Sequence, residues 1–203
     1  MVITNGFDTD GTSSAVLDVD FTVSHIGSLL SGRNPINLWK AISELIHEIP
    51  DFKKHFKLQL AGVISSDVLE SIYFFGLQPY TELLGYISHE EALQYQRKSQ
   101  VLLLIEIDSE ETQGIIPGKV FEYMAAKRPI LGVGPSKWEV GSLISESNTG
   151  RTYDYQQSNE LKNSLLEWFQ DYKKDQLSLP FAKVEQYHRR ELTKKLSKYL
   201  AWE

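Results

Sequence analysis

The chain has 203 residues, of which 41% are hydrophobic and 24% are charged, and its formal net charge is −6. This length accommodates one α/β domain with a sizeable buried core, and the negative charge disfavours a broad nucleic-acid-binding surface. No apolar run approaches the ~20 residues of a membrane span, and the first residues lack a signal-peptide pattern, so we expect a cytoplasmic or cytoplasm-facing protein. The absence of cysteine excludes disulfides, thiolate metal ligands and a cysteine nucleophile.

Short apolar runs bounded by glycine or polar residues are typical of strands. They predict strands at residues 21–29, 56–63, 82–87, 101–107, 129–134 and 150–155. The spacing of apolar residues predicts a helix from Pro35 to Ile49 with Asn34 as its N-cap. Capping-box spacings at Ser88 and Ser136, each with Glu three residues later, predict two further helix starts. Amphipathic helices at 158–175 and 180–201 close the chain.

Strands that alternate with helices predict a doubly wound, Rossmann-like α/β fold, with a six-stranded parallel sheet covered by helices on both faces. In the commonest strand order, 3-2-1-4-5-6, ligands bind beyond the carboxyl ends of the first and fourth strands. Those ends are Gly27-Ser28 and the segment 108–118. We expect this domain to span residues 21–203, preceded by a linker or amino-terminal extension over residues 1–20.

The segment that follows the fourth strand, "PGKVFEYMAAKRPIL" (117–131), predicts a helix with an anion-binding amino end. Pro117 disfavours helical geometry at Ile116, so the helix should begin just after this point. The first amides would face the crevice at the positive end of the helix dipole, which suits a phosphate. These are the amides of Gly118, Lys119 and Val120. Glu122 leans back toward the same end, where its carboxylate can accept hydrogen bonds from two vicinal hydroxyls, so a nucleotide is the predicted ligand.

Four stretches together resemble the carboxyl-terminal, donor-binding domain of GT-B glycosyltransferases, in particular the large retaining family known as glycosyl transferases group 1. "ITNGFD" (3–8) is similar to the linker between the two halves of those enzymes. "HIGSLLSGRNPINLWKAI" (25–42) is similar to the first strand, turn and helix, and "LLGYISHEEALQYQRKSQVLLLI" (83–105) to the stretch that holds the base. "PGKVFEYMAAKRPIL" is similar to the segment that binds the donor ribose. The resemblance therefore covers essentially the whole chain.

The resemblance implies a set of residues that bind the donor nucleotide and its phosphates. Arg33 stands where the family usually has a phosphate-binding Lys, and Glu122 where its Glu binds the ribose. The full implied set is Gly27, Ser28, Arg33, Ile87, Gly118, Lys119, Val120 and Glu122. The alternative for Arg33 is a loop cation on the surface, and for Glu122 it is a helix-surface pair with Lys119.

The sequence departs from the family pattern at the sugar end of the site. The acid that the family carries near the transferred sugar is Gly114 here, and the basic residue that often follows the first glycine is Ser28. Glu110 or Glu111 is a candidate substitute, and the catalytic residues stay unassigned.

The resemblance implies half of a glycosyltransferase that transfers a sugar from a nucleotide-diphosphate sugar to a glycan or other cell-surface acceptor. The acceptor domain would be a missing amino-terminal half, so we expect this chain alone to be inactive. The retaining outcome follows only from the resemblance. We expect no cofactor, no metal and no nucleic-acid partner, and peripheral membrane contact of the full-length protein stays open.

Two other functions are compatible with parts of the sequence. A noncatalytic nucleotide-binding or regulatory module can have the same fold, because fold does not dictate activity. "FDTDGT" (7–12) matches the first motif of haloacid-dehalogenase phosphatases, but that motif must end a buried strand, which residues 3–6 are not expected to form. This phosphatase function is the remote alternative. The DTD in the same stretch and the DVD at 18–20 match the DxD pattern of a metal-binding motif. Both precede the first predicted strand, so we do not assign them that role.

Overall fold

The computed structural model describes residues 3–8 and 15–200. Its sheet has six parallel strands in the order β3-β2-β1-β4-β5-β6, which confirms the predicted doubly wound fold. The strands are β1 Phe21–Ile26, β2 Phe56–Ala61, β3 Thr81–Gly85, β4 Val101–Ile105, β5 Ile130–Val133 and β6 Gly150–Tyr153. The helices are α1 Ile36–Glu48, α2 Pro50–His55, α3 Ser66–Phe74, α4 His89–Lys98, α5 Lys119–Ala126, α6 Glu139–Glu146, α7 Ser158–Lys173 and α8 Arg189–Leu200.

The core lies on both faces of the sheet, and β4 shows how one strand serves both. Val101, Leu103 and Ile105 pack into the cluster that contains α1 and α7. Leu102 and Leu104 point the other way, into the cluster that contains α5 and α6. Successive side chains of a strand alternate between faces, so a strand in the middle of a covered sheet must be apolar throughout. This explains why the run VLLLI has no polar residue.

Two of the three predicted helix caps are wrong. Asn34 does not cap α1, because its Oδ1 accepts a hydrogen bond from Trp39 Nε1 (2.8 Å) and its Nδ2 donates to Ser71 Oγ (2.8 Å). Ser136 does not open α6, which begins at Glu139 after Trp138 and has no side-chain cap. The Ser88 capping box of α4 is confirmed, and the Ser88 amide donates a hydrogen bond to Glu91 Oε2 at 2.8 Å.

The predicted helix at 180–201 is two separate elements. A 3-10 turn spans Val184–Tyr187, and α8 follows it. Lys183 has a left-handed φ of 54°, and His188 has an extended backbone, so neither residue continues a helix. The break places the Tyr187 carbonyl and the Arg189 amide beside the amino-terminal segment, where they pair with the Phe7 amide (3.1 Å) and the Phe7 carbonyl (2.9 Å).

The amino-terminal segment 3–8 packs against this break and does not join the central sheet. Its pairing is an isolated bridge between Phe7 and His188, and Asp8 forms an ion pair with Arg189 at 2.7 Å. Asp8 therefore does not end a strand of the sheet, which argues against the phosphatase motif. The rest of that motif, residues 9–12, lies outside the described residues. In the DVD stretch Asp18 and Asp20 pair with Lys98 and Lys57, close to the amino ends of the strands.

The first prediction concerns Gly62, which follows β2 with φ +98°. A Cβ added there would lie 2.8 Å from the Gly27 carbonyl carbon and the Ser28 nitrogen, so an alanine would force these backbones apart. We expect Gly62→Ala to lower the free energy of unfolding in urea by ~1–3 kcal/mol more than Gly76→Ala. Gly76 is a matched control, because it has φ +67° but no atom within 4 Å of an added Cβ. Equal losses in the two variants would contradict this account.

Candidate functional site

The candidate site lies where the carboxyl end of β1 meets the amino end of α5. The chain turns at Gly27, whose φ is +128°, and a Cβ added there would lie 2.6 Å from Lys119 Nζ. The backbone angle therefore favours glycine, and the ammonium group of Lys119 lies beside the Gly27 Cα. Ser28 follows as an exposed turn residue. The Gly27 turn is therefore in contact with Lys119, the residue that directly follows the second predicted segment of the crevice.

Tyr123 holds α5 in this position. Its buried hydroxyl accepts a hydrogen bond from the Ile26 amide at 3.0 Å, immediately before the Gly27 turn. Burial raises the pKa of Tyr123 above its ordinary value, so the hydroxyl stays protonated. Because Lys119 and Glu122 lie on the same short helix, this one bond fixes both relative to β1.

Arg33 is held by Glu106, a residue that the sequence interpretation missed. Arg33 Nε and Nη2 lie 3.0 and 2.8 Å from Glu106 Oε1, and the Glu106 side chain is only 2% exposed. The Ile107 amide donates to the same oxygen at 2.9 Å, and the Tyr155 hydroxyl donates to the Glu106 carbonyl at 2.9 Å. The signal for Glu106 was a carboxylate directly after five apolar residues of β4, at the edge where ligands bind.

The two cations of the site, Lys119 and Arg33, lie close enough to influence each other in a chain of negative net charge. Burial, with a further contribution from the positive charge of Arg33, lowers the pKa of Lys119 to about 8. Lys119 is therefore still mostly protonated at neutral pH but unfavourably so. An anion bound beside the ammonium group would relieve that penalty. The arrangement suits a phosphate.

Glu122 opens onto a groove of about 310 Å³ beside α4 and α5. Its carboxylate is half-buried, and its Oε2 accepts a hydrogen bond from Gln96 Nε2 at 2.9 Å. Lys119 instead extends over Gly27, so the structure does not favour the helix-surface pair. The residues that line the groove include Asn5, His89, Gln96, Gly118, Glu122 and Arg189.

The remaining predicted residues have different surroundings. Gly118 is exposed at the start of α5, and Ile87 is half-buried directly before the cap of α4. The Val120 amide is not free as predicted, because it donates to the Pro117 carbonyl at 3.0 Å, and the Val120 side chain is fully buried. Among residues 3–8 and 15–200, no three His, Asp or Glu side chains form a metal-binding group, and no helix is long and apolar enough to cross a membrane.

His25 lies under the Gly27 turn and is completely buried. Its Nδ1 donates to the Leu103 carbonyl at 2.9 Å, and its Nε2 has no hydrogen-bond partner among the described residues. Burial, reinforced by the nearby charge of Lys119, lowers the pKa of His25 from 6.5 to about 3. The imidazole is therefore neutral in the folded protein at any ordinary pH.

This pKa predicts a specific loss of stability in acid. Below pH 6.5 the unfolded chain binds a proton at His25 that the folded chain does not bind. The free energy of unfolding should therefore decrease as the pH is lowered. Between about pH 6.5 and about pH 4.5 the loss due to His25 should be about 2 kcal/mol. Urea denaturation across this range, compared with His25→Asn, isolates that contribution because an amide does not titrate. If the free energy of unfolding changes with pH in the same way in the unmodified chain and in His25→Asn, the prediction is contradicted.

Comparison with known proteins places this geometry in a family. Residues 25–171 match the family described as glycosyl transferases group 1. A comparison with curated proteins finds no match. Among solved structures, Alr3699/HepE of Anabaena with UDP and glucose has a TM-score of 0.71 and 18% identity, over 100% of this chain and 57% of that one.

Two further structures have similar folds. A glycosyltransferase of Rickettsia africae has a TM-score of 0.68 and 17% identity, over 98% of this chain and 56% of that one. A TarM variant of S. aureus with fondaparinux, alpha-GlcNAc-glycerol and UDP has a TM-score of 0.64 and 15% identity, over 98% of this chain and 38% of that one. This chain thus spans little more than half the length of the first two proteins.

At these identities the structural likeness establishes the fold, and the match to the family covers most of the chain. The predicted resemblance to a GT-B half is confirmed: the chain belongs to the glycosyl transferases group 1 family.

Proposed function

We propose that this chain is the half of a glycosyltransferase that binds a nucleotide-diphosphate sugar. The observation that carries the proposal is that α5 presents a cation and a carboxylate near its amino end. Lys119 lies over the Gly27 turn, and Glu122 lies on the adjacent groove. A diphosphate next to a ribose diol requires these two kinds of group side by side.

The diphosphate would lie at the Gly27 turn, near Lys119 and Arg33. An arginine has five N–H donors, and Glu106 engages Nε and Nη2, so donors remain for phosphate oxygens. The Gly27 turn lets a ligand approach the backbone closely, because glycine has no side chain to block it. Preorganised cations of this kind stabilise the negative charge of a departing diphosphate, and this is the contribution that this half makes to the reaction.

The ribose would bind Glu122, with the base in the groove beside α4. Gln96 occupies only one acceptor site of the Glu122 carboxylate, which has about four in total. UDP is the ligand to test first, because the Anabaena and S. aureus structures contain it.

The acceptor, a glycan or other cell-surface molecule, would bind a second half that this chain does not contain. The proposal is supported by the fact that the chain covers all of its own length but only 57% of Alr3699/HepE. We place the full-length protein in the cytoplasm, consistent with a chain that has no cysteine. Contact of the full-length protein with a membrane surface is compatible with this scheme, and no metal or cofactor is assigned a role in it.

The main test is Glu122→Gln. Glutamine keeps an acceptor oxygen but loses the charge, and hydrogen bonds to charged groups are worth ~1.5–3 kcal/mol against ~1 kcal/mol for neutral ones. UDP binding measured by calorimetry should therefore weaken about tenfold. Binding of 2′,3′-dideoxy-UDP should be almost the same in both proteins, since that ligand has no diol.

Glu160→Gln is the matched control, because Glu160 is also in the first turn of a helix but lies on α7, outside the groove. Neither variant should shift the thermal unfolding transition appreciably, because Glu122 is only half-buried and its partner Gln96 can also donate to glutamine. If Glu122→Gln binds UDP as tightly as the unmodified chain, the proposed donor site is wrong.

A further prediction concerns transfer. The 203-residue chain should bind UDP but transfer no sugar from UDP-glucose to any acceptor, because in this proposal it supplies only the donor side of the reaction cleft. A radiolabelled-sugar transfer assay measures this, with the full-length protein as the positive control. Transfer by the chain alone would contradict the two-half scheme. Intact UDP binding with no turnover by the full-length protein would favour the noncatalytic module.

A further inference from the structure

Gln96 is a buried polar residue on α4 with only half of its amide in use. Its side chain is 2% exposed, and its Nε2 donates to Glu122 Oε2 at 2.9 Å. Its Oε1 is buried and has no hydrogen-bond partner among the described residues. The single side-chain hydrogen bond that the amide makes here is thus the one to the carboxylate at the candidate ribose site.

A buried acceptor without a partner carries a desolvation penalty that an apolar side chain of similar size would not have. The orientation of the Gln96 amide follows from its partner, because the Glu122 carboxylate only accepts hydrogen bonds and the NH₂ group must therefore face it. The side chain therefore leaves its oxygen unsatisfied in order to present its nitrogen to Glu122. Packing alone does not require that arrangement.

The bond also connects two parts of the site that come from distant parts of the sequence. Helix α4 begins at His89, two residues after Ile87 in the loop implied to hold the base, and Gln96 lies two turns further along it. Glu122 is on α5, which the Tyr123 hydroxyl fixes to β1. The Gln96–Glu122 bond therefore sets the position of the carboxylate relative to the helix that follows the base loop.

We propose that Gln96 is a positioning residue, which holds the Glu122 carboxylate in the orientation that accepts the ribose hydroxyls. The inference rests on the proposed function of the site. Glu122 is half-buried and is exposed to solvent on one side. Without Gln96 its carboxylate would be solvated and free to adopt other rotamers. Binding of a ribose would then have to immobilise the side chain, which lowers affinity.

The test uses Gln96→Met, which keeps a long unbranched side chain but removes the donor. We expect UDP to bind about three- to tenfold more weakly, in line with the cost of immobilising one flexible side chain. Binding of 2′,3′-dideoxy-UDP should not change. Gln59→Met is the control for loss of a buried amide, because Gln59 is 5% exposed in β2 and bonds Ser24 and Glu82, away from the groove. Gln59→Met should leave the ratio of the affinities for UDP and 2′,3′-dideoxy-UDP unchanged.

The double variant Gln96→Met/Glu122→Ala provides a second readout, because alanine leaves Gln96 no acceptor at position 122. If Gln96 acts through the Glu122 side chain, the double variant should bind UDP no more weakly than Glu122→Ala alone. Fully additive losses, or equal weakening of UDP and its dideoxy analogue by Gln96→Met, would overturn the proposal. If Gln96→Met does not fold, Gln96→Asn, whose amide is one methylene shorter, enters the same comparison.

The UDP affinities of Glu122→Gln and Gln96→Met distinguish a failure of this inference from a failure of the proposed function. Normal UDP affinity of Glu122→Gln would overturn the proposed function and this inference together. A loss in Glu122→Gln with normal affinity in Gln96→Met would overturn only the role of Gln96.

Discussion

The contact between the amino end of α5 and the carboxyl end of β1 determines the rest of the site. Lys119 Nζ lies where a Gly27 side chain would be, and the Tyr123 hydroxyl accepts a hydrogen bond from the Ile26 amide. Both contacts lie at the point where the chain turns after β1, a turn that the positive φ of Gly27 allows. Because α5 is short and anchored at this point, its other polar side chain, that of Glu122, has a defined position beside α4. A doubly wound sheet places this junction at its topological switch, where ligands of such folds bind.

The electrostatics of the site are consistent with an anion that is bound and then released. Two cations lie at the turn, and the buried Glu106 carboxylate compensates for part of their charge through Arg33. Without Glu106, the half-buried Lys119 and Arg33 would face each other's repulsion when no ligand is bound. With Glu106 present, part of that repulsion is offset, and the guanidinium keeps donors that the proposed diphosphate could use. The acidic net charge of the chain therefore does not argue against an anionic ligand, since the local potential is set by these few side chains.

The sequence predicts the fold and some residues of the candidate site but not others, and the physical reasons differ between residues. The strand order follows from alternating strands and helices and right-handed crossovers, and Glu122 follows from its place at the start of a helix after the fourth strand. Glu106 had a local signal in its place after β4, but the pairing of Glu106 with Arg33 and of Gln96 with Glu122 could not be inferred, because these partners are 73 and 26 residues apart. The failed cap at Asn34 also depends in part on a distant partner, Ser71, which is 37 residues away. Local spacing favours a cap, but the Trp39 indole and the Ser71 hydroxyl of α3 bind its side chain instead. The Ser88 cap succeeds because both of its hydrogen bonds are local.

The most direct measurement is a crystal structure of this chain with UDP. The account predicts that the ribose hydroxyls lie within hydrogen-bonding distance of Glu122, at about 2.5–3.0 Å, and that the diphosphate lies over the Gly27 turn within reach of Lys119 and Arg33. It also predicts that the Gln96–Glu122 hydrogen bond persists in the complex. A nucleotide bound at another edge of the sheet, or one whose ribose points away from Glu122, would contradict the assignment of this junction as the donor site.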